Sequence, residues 1–213
     1  MRVLEPSQEV REEQNRQEVF RAWIDGGALS ISLCNVFPES YSEGVSEIWG
    51  MLISDIFHHV VDAIVLETGR ELEEVQSSLR GSLQKVIQSE RGTRRGNIRE
   101  LTKSQPEIPE PDVSGDDSCV EIVRIVLLPD SIHVMVLVGM WLPDNEESVW
   151  GNLIYDTSAM IAETLVPERD VETLKKDLLA DVLGYIDKPS TKYSGEYYNT
   201  EQAVPPKSDR AGG

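Results

Sequence analysis

Apolar residues follow two different periods along this chain, and each period predicts a different element. Leu29, Ile31 and Leu33 alternate with polar or small residues, which is typical of a β-strand with one buried face. From Val45 to Ile64, apolar residues recur at steps of three and four, the period of an amphipathic helix. The chain is therefore expected to contain both strands and long helices.

The same order of elements is predicted twice: strand, tight turn, strand, loop, long helix and shorter helix. The predicted strands cover 18–24, 29–34, 121–128 and 132–138. Asp25, Gly26 and Gly27 supply the first turn, because they tolerate the positive φ that a tight hairpin needs. The long helices are expected to break at Gly69 and Pro167.

Two motifs recur at nearly constant spacing. Glu18-Val-Phe-Arg21 returns as Glu121-Ile-Val-Arg124, 103 positions later. The segment from Trp49 to Asp55 returns from Trp150 to Asp156, 101 positions later. One loop can absorb the difference of two residues between these offsets. The chain is therefore predicted to contain an internal duplication.

An α+β fold is predicted, in which two ββαα repeats form a pseudo-twofold, four-stranded antiparallel sheet packed by helices. A lone hairpin is marginal in water, so joining the two hairpins is favoured. Two independent domains on a linker are the alternative. The predicted organisation is a flexible N-terminus at 1–14, repeat 1 at 15–90, a proline-containing linker at 91–117, repeat 2 at 118–187 and a disordered tail at 188–213.

Residues 18–88 carry three motifs that resemble a known family. The motifs are Glu-Val-x-Arg-x-Trp at 18–23, Leu-x-Ile-x-Leu at 29–33 and Trp-Gly-x-Leu-x-x-Asp-x-x-x-His-Val-x-x-Ala at 49–63. They resemble the short alphaproteobacterial proteins grouped as domain of unknown function 5076, which usually carry one copy. Residues 119–187 resemble the family less closely, because Met160 and Val126 stand at the positions of His59 and Trp23. The resemblance implies a tandem copy of this uncharacterised domain in a cytoplasmic bacterial protein.

Acidic residues are spread through both predicted repeats. Residues 1–90 hold 16 acidic and 7 basic side chains, and residues 118–187 hold 13 and 4. The formal net charge of −18 at pH 7 repels nucleic-acid phosphate and anionic lipid, so neither is expected as a direct partner. The one basic cluster begins the predicted linker and consists of Arg91, Arg94, Arg95 and Arg99. A solvated hinge is favoured for this cluster over a nucleic-acid contact.

A cytoplasmic location is expected from what the sequence lacks. It has no uninterrupted apolar run of about 18 residues, which a membrane-spanning helix needs. Residues 1–14 lack the basic start and apolar core of a secretory signal. Cys34 and Cys119 occupy unrelated places in the two repeats, so they predict reduced thiols and neither a disulfide framework nor a metal site.

One face of the first long helix carries candidate metal ligands. Asp55 and His59 lie four residues apart, as do His58 and Asp62. Such spacing can bring a carboxylate and an imidazole to one metal ion. The alternative is a polar stripe with local hydrogen bonds between aspartate and histidine. The second repeat lacks both histidines, which favours the local structural role and predicts no cofactor.

The repeated residues form a second candidate, a structural or ligand pocket. They are Arg21, Trp49, Asp55, Arg124, Trp150 and Asp156. The glycine after each tryptophan favours close approach of helix and sheet. The arginines are duplicated together with the aspartates, so ion pairs between them are favoured over a clamp for an anion.

No nucleophile motif, phosphate-binding loop or dinucleotide fingerprint is found in the sequence. We therefore predict a non-enzymatic interaction or regulatory protein, a pseudo-dimer within one chain that acts as a monomer. Its acidic surface suits a basic protein partner. One alternative is a metal- or ligand-binding protein or enzyme centred on Asp55 and His59. The other is an acidic inhibitor that mimics DNA.

Overall fold

A computed structural model describes residues 3–34, 44–90, 95–101, 108, 119–165, 171–188 and 193–199 of the 213-residue chain. The helices in these ranges are α1 (Gln8–Glu12), α2 (Val45–Thr68), α3 (Leu72–Ser89), α4 (Glu146–Leu165) and α5 (Val171–Asp187). The strands are β1 (Gln17–Asp25), β2 (Ala28–Cys34), β3 (Arg95–Leu101), β4 (Val120–Leu127), β5 (Ile132–Leu137) and β6 (Tyr193–Tyr198).

Both predicted hairpins are confirmed. β1 and β2 pair in antiparallel register around Gly26 and Gly27, whose φ angles are 54° and 89°. Glycine adopts this left-handed conformation at no steric cost, so the chain reverses within two residues. β4 and β5 form the second antiparallel hairpin, in which Leu127 lies opposite Ile132.

The six strands form one mixed sheet in the order β3-β2-β1-β4-β5-β6. The four inner strands are antiparallel, and the pairing of β1 with β4 joins the two halves of the chain. At the two edges, β3 runs parallel to β2 and β6 runs parallel to β5. The predicted α+β class is confirmed, and the halves share one sheet. The predicted number of four strands is wrong.

The two additional strands lie in segments predicted to be linker and tail. β3 falls within 91–117, where it holds Arg95 and Arg99 of the basic cluster, and β6 falls within 188–213. Neither strand alternates apolar and polar residues, so periodicity does not reveal it. Each is held by backbone pairing with its inner neighbour. Arg91, Arg94 and the tail from residue 200 onward lie outside the described residues.

The helix boundaries follow backbone chemistry. α2 ends at Gly69, which adopts a left-handed φ of 69° and donates its N–H to the carbonyl of Val65. This is the glycine C-cap that ends many helices, and it confirms the predicted break. Pro167, the break predicted for the second long helix, lies outside the described residues. The short helix α1 falls within 1–14, which were predicted to be flexible.

α2 is the most apolar helix of the structure. By length and hydropathy it could cross a membrane, but 67% of its most apolar 18-residue window is buried inside the fold. The core helix of a soluble protein has the same composition, because its apolar side chains face other elements of the protein. The burial of α2 is consistent with that role.

The helices exchange partners between the two halves. α2 packs mainly against α5, and α3 packs mainly against α4. α2 also lies over β5 and β6, whereas α4 lies over β2 and β3. Each long helix therefore covers strands of the other half, and the buried apolar residues of both halves form one core.

Two glycines at matching positions of α2 and α4 allow each long helix to pack closely on a helix of the other half. A Cβ atom on Gly50 of α2 would lie 2.5 Å from Cβ of Asp181 on α5. A Cβ atom on Gly151 of α4 would lie 2.8 Å from the backbone nitrogen of Leu83 on α3. The sequence favours approach of these glycines to the sheet. The structure instead places each against the second helix of the other half.

We predict that Gly50→Ala and Gly151→Ala each destabilise the fold by about 1–3 kcal/mol, because the added methyl group overpacks a helix contact. Gly151→Ala is expected to cost more, since its added Cβ would meet three atoms within 3.0 Å, whereas that of Gly50 would meet one. Gly81→Ala on α3 is the matched control. No atom lies within 4 Å of its added Cβ, so better helix propensity should stabilise it by about 0.5–1 kcal/mol. Urea denaturation measures all three, and equal effects at Gly81 and Gly151 would contradict the packing argument.

Candidate functional site

The repeated Glu-x-x-Arg motif meets itself where β1 pairs with β4. In a regular strand, residues three apart point to opposite faces of the sheet. The pairing shifts register by one residue at Val19 in β1 and again at Ile122 in β4. Such a bulge returns the glutamate and the arginine of each motif to the same face.

Four side chains form a buried ion-pair cluster on that face, which we call the seam cluster: Glu18, Arg21, Glu121 and Arg124. Arg21 binds Glu121 through two hydrogen bonds, 2.6 Å from Nε to Oε1 and 3.0 Å from Nη2 to Oε2. Arg124 binds the same carboxylate at 3.0 and 2.9 Å. It also donates to Oε1 of Glu18 at 3.1 Å. Two positive and two negative charges therefore balance within one site.

Backbone groups from two distant segments complete the seam cluster. The N–H of Leu4 donates to Oε2 of Glu121 at 2.8 Å. The N–H of Ile108 donates to Glu18 at 2.8 Å, and its carbonyl accepts from Nη1 of Arg21 at 2.8 Å. A buried charge is tolerated only when such bonds replace its lost hydration. All the hydrogen-bond partners of the seam cluster among the described residues thus belong to the chain itself.

The surroundings of the cluster are apolar. The Arg21 guanidinium lies 4.8 Å from the centroid of the Trp23 ring, within cation–π distance. Trp23 belongs to a small buried group that also contains Cys34, Ile108 and Cys119. Burial raises the pKa of Glu18, and the nearby arginines Arg124 and Arg21 oppose that shift.

The arginine partners differ from those that the sequence favours. Asp55 and Asp156 are buried in α2 and α4, within the helical layer. The arginines point to the other face of the sheet, since Phe20, beside Arg21 in β1, packs edge-to-face on Trp49 of α2. Glu18 and Glu121 take the role predicted for the aspartates. Both glutamates recur in the two halves as well. Only the two bulges place each glutamate on the same face of the sheet as its arginine.

The six repeated candidates occupy three places and not one pocket. Arg21 and Arg124 face each other across β1 and β4. The tryptophans begin the long helices, where Trp49 packs on Phe20 and Trp150 packs on Trp141, each with ring centroids 6.3 Å apart. The two aspartates lie about two helical turns further along.

The histidines of α2 contact two different elements of the other half. His58 forms a hydrogen bond with the backbone of Tyr185 on α5, and burial lowers the pKa of this histidine. His59 forms a hydrogen bond with the backbone of Val134. Its ring fills the space beside Gly195 of β6, where a Cβ atom would lie 1.3 Å from Nε2. Asp62, the fourth candidate ligand, is exposed.

Within the described ranges, no three histidine, cysteine, aspartate or glutamate side chains lie close enough together to hold a metal ion. His133 on β5 lies 3.5 Å from Oε1 of Glu196 on β6, and burial lowers its pKa. Burial, with a smaller effect of His133, lowers the pKa of His59 to about 4. His59 is thus neutral at pH 7 and acts as a packing and hydrogen-bonding group.

Comparison with protein families gives one match, to the N-terminal part of the chain. Residues 4–91 match the family model named Domain of unknown function (DUF5076). No curated protein and no solved structure matches the chain. The DUF5076 match begins at Leu4, which donates to Glu121, and includes both members of the first Glu-x-x-Arg motif.

One buried acidic residue outside the DUF5076 match is absent from the sequence-based candidates. Glu146 begins α4 and accepts hydrogen bonds from the N–H groups of Gly139 and Trp141, at 2.9 and 2.7 Å. It also accepts from Nε1 of Trp150 at 3.1 Å, so it orients that ring. Burial raises the pKa of Glu146, and these hydrogen bonds oppose the shift. Val45 stands at the equivalent position of the first half, so a search for repeated residues passes over Glu146.

We predict that Glu121→Gln destabilises the chain by about 3–5 kcal/mol, because two buried arginines then share a single carboxylate. Glu18→Gln is expected to cost less. Its carboxylate binds one arginine, and burial already raises its pKa. Urea denaturation at pH 7 compares the two isosteric variants. Equal losses of unfolding free energy would contradict the central place of Glu121.

The buried histidine predicts a specific loss of stability in acid. Because the pKa of His59 falls from 6.5 to about 4 on folding, its contribution is complete above pH 6.5. That contribution is lost as the pH falls towards 4, since only the unfolded chain takes up the proton. Between pH 7 and pH 4.5, wild type should lose about 2–3 kcal/mol more than His59→Gln. Urea denaturation at both pH values tests this, and the same pH dependence in both proteins would refute it.

Proposed function

We propose that the chain is a cytoplasmic bacterial protein in which two copies of the DUF5076 domain are fused, and that it binds a basic protein partner without catalysing a reaction. The observation that carries this proposal is that the repeated charged residues bind one another inside the fold. Each half contributes one glutamate and one arginine to a cluster that is buried and bonded within the chain. These buried charges serve the fold. The acidic side chains outside the cluster give the surface its negative charge.

Equivalent contacts in the two halves support the duplication. The bulges at Val19 and Ile122 lie 103 residues apart, the same offset as the Glu-x-x-Arg motifs. Gly50 meets Asp181, whereas Gly151 meets Ser82, and these two partners lie 99 residues apart. We therefore relate the copies by a pseudo-twofold axis between β1 and β4, as in a homodimer fused into one monomeric chain.

The proposed repeat is longer than the predicted ββαα unit. Leu29 of β2 pairs with Arg95, and Ile132 of β5 pairs with Tyr193. Leu29 and Ile132 are 103 residues apart, so β3 and β6 take equivalent places at the two edges of the sheet. Each copy is then a ββααβ unit whose helices pack on the other copy.

The charge of the helical surface supports a basic partner. The chain carries 38 acidic and 20 basic side chains. Exposed acidic side chains at the start of α3 and along α5 include Glu71, Glu73, Glu74, Glu172, Asp177 and Asp187. An acidic face attracts a basic protein over several ångströms and speeds its association, and salt weakens that attraction.

A capture experiment tests the proposed partner class. The immobilised full chain is exposed to a bacterial lysate, and the retained proteins are identified by mass spectrometry. Basic proteins should be retained at low salt and released near 0.5 M salt, where the screening length falls well below its value of about 10 Å at 0.1 M. Glu71→Gln/Glu73→Gln on α3 should retain several-fold less than wild type, since it removes two charges from the acidic face.

The matched control is Glu90→Gln/Glu163→Gln, which removes the same charge from exposed positions at the C-terminal ends of α3 and α4. Equal retention by both variants, or retention of acidic proteins, would contradict the proposal. Displacement of the partner by duplex DNA would favour the DNA-mimic alternative. A stoichiometric metal that disappears in His58→Ala and His59→Ala would favour the metal-binding alternative.

A further inference from the structure

The edge strand β6 is held firmly on three sides. β5 pairs with it along its inner edge. On one face, His59 of α2 packs against Gly195, and Asn199 donates to Glu67 of α2 at 3.3 Å. On the other face, the N–H of Ser7 donates to Glu196 at 3.2 Å. A strand fixed in this way is preorganised for pairing on its remaining side.

The backbone groups of β6 that pair with no other strand among the described residues can be assigned from one hydrogen bond. The carbonyl of Tyr198 accepts from the N–H of Val138, so the backbone groups of Tyr198 point towards β5. Successive residues of a strand point their N–H and C=O groups to alternate sides. The backbone groups of Gly195 and Tyr197 therefore point away from the sheet, along the outer edge of β6.

Two exposed apolar side chains lie beside this outer edge. Gly195 faces α2, so Tyr197, two residues on, faces α2 as well. Leu66 lies seven residues after His59 and therefore follows the same stripe of α2. The exposed fractions are 39% for Tyr197 and 64% for Leu66. Exposed large apolar side chains beside an open strand edge are typical of a docking site.

The shape and charge of this edge define its occupant. A shallow groove of about 510 Å³, open to solvent, runs along Gly195 to Tyr198. Glu67 lies beside it on the helical face and Glu196 on the opposite face. The sequence of β6, Tyr-Ser-Gly-Glu-Tyr-Tyr, contains none of the lysines or prolines that commonly protect an edge. β3, at the other edge, carries two arginines.

We propose that the outer edge of β6 binds an extended segment of a partner protein, which adds to the sheet as a seventh strand. Apolar residues of the segment contact Tyr197 and Leu66, and basic residues lie near Glu67 and Glu196. Backbone hydrogen bonds to Gly195 and Tyr197 supply affinity, and the side chains supply specificity. This inference rests on the proposed binding of a basic protein and names the surface that does it.

A labelled peptide tests the site on the full chain. The probe is acetyl-Lys-Val-Lys-Val-Lys-Val-Lys-amide with a fluorophore, and its binding is followed by fluorescence anisotropy. Tyr197→Ala removes the aromatic ring but keeps the outward N–H, whereas Tyr197→Pro removes both. Because that N–H points away from β5, proline costs no hydrogen bond within the sheet. Tyr197→Pro should bind about fivefold more weakly than Tyr197→Ala, the effect of roughly one lost hydrogen bond.

A second pair of variants tests the apolar contact. Leu66→Lys should weaken binding about tenfold, because it replaces an apolar contact with a positive charge beside a basic peptide. Leu66→Met is the matched control, since it keeps an apolar side chain of similar volume at the same exposed position. It should bind the probe within about twofold of wild type, because the apolar contact is retained.

Amide hydrogen exchange gives a measurement that needs no variant. The N–H groups of Gly195 and Tyr197 should exchange rapidly in the free chain and become protected when the peptide binds. Unchanged exchange at both positions with bound peptide would overturn the proposal. So would equal affinity of Tyr197→Pro and Tyr197→Ala. Concentration-dependent dimerisation of the chain, abolished by Tyr197→Pro, would replace the partner segment with a second copy.

Two further peptides separate this inference from the proposed function. A peptide with glutamate in place of lysine should bind at least tenfold more weakly, because it meets an acidic surface. If the lysine peptide binds without protecting β6, the basic partner stands and the edge site is refuted. If a peptide with threonine in place of lysine binds at β6 as well as the lysine peptide, the edge stands and the preference for a basic partner is refuted.

Discussion

The pairing of β1 with β4 depends on two bulges and the four charges that they align. A buried ion pair costs solvation, so a cluster of this kind contributes more to choosing one structure than to total stability. A slip of one residue between the strands would place each arginine on the opposite face from the glutamate that it binds on the other strand. Arg21 and Arg124 are direct neighbours in the register, and Glu121 binds both of them. The cluster therefore specifies how the two halves meet.

The helical layer follows from that register. Once β1 and β4 are neighbours, β2 and β5 lie on either side of them, and each long helix crosses to the strands of the other half. Gly50 and Gly151 then bring each long helix close to the second helix of the other half. Neither half buries its apolar surface alone. The DUF5076 match over residues 4–91 thus describes a unit whose helices are completed by a second unit.

The elements that the sequence predicts correctly are those whose side chains alternate or recur with the helical period. β2 of the first hairpin and the long helices belong to this group, because burial of one face imposes a period. The strands of the second hairpin are buried on both faces and are predicted from continuous apolar runs. β3 and β6 are not predicted, because they are held at the edges by backbone pairing. Every residue carries backbone groups, so this pairing leaves no pattern of side chains in the sequence. The seam cluster escapes prediction for another reason. A spacing of three in a strand implies opposite faces, and a bulge is a property of the paired strands that no single segment shows.

The two halves differ at the edges of the sheet. Gly195 of β6 receives the His59 ring. In the other half, Met160 on α4 stands at the position of His59 and Ile98 on β3 at the position of Gly195. The His59 ring and the space left by Gly195 therefore fit each other across the exchanged helix layer. Because the seam cluster fixes the centre of the sheet, such changes can alter an edge without disturbing the pairing of the halves. Under the proposed fusion of two copies, one edge can change alone, whereas in a homodimer every change at one edge is repeated at the other.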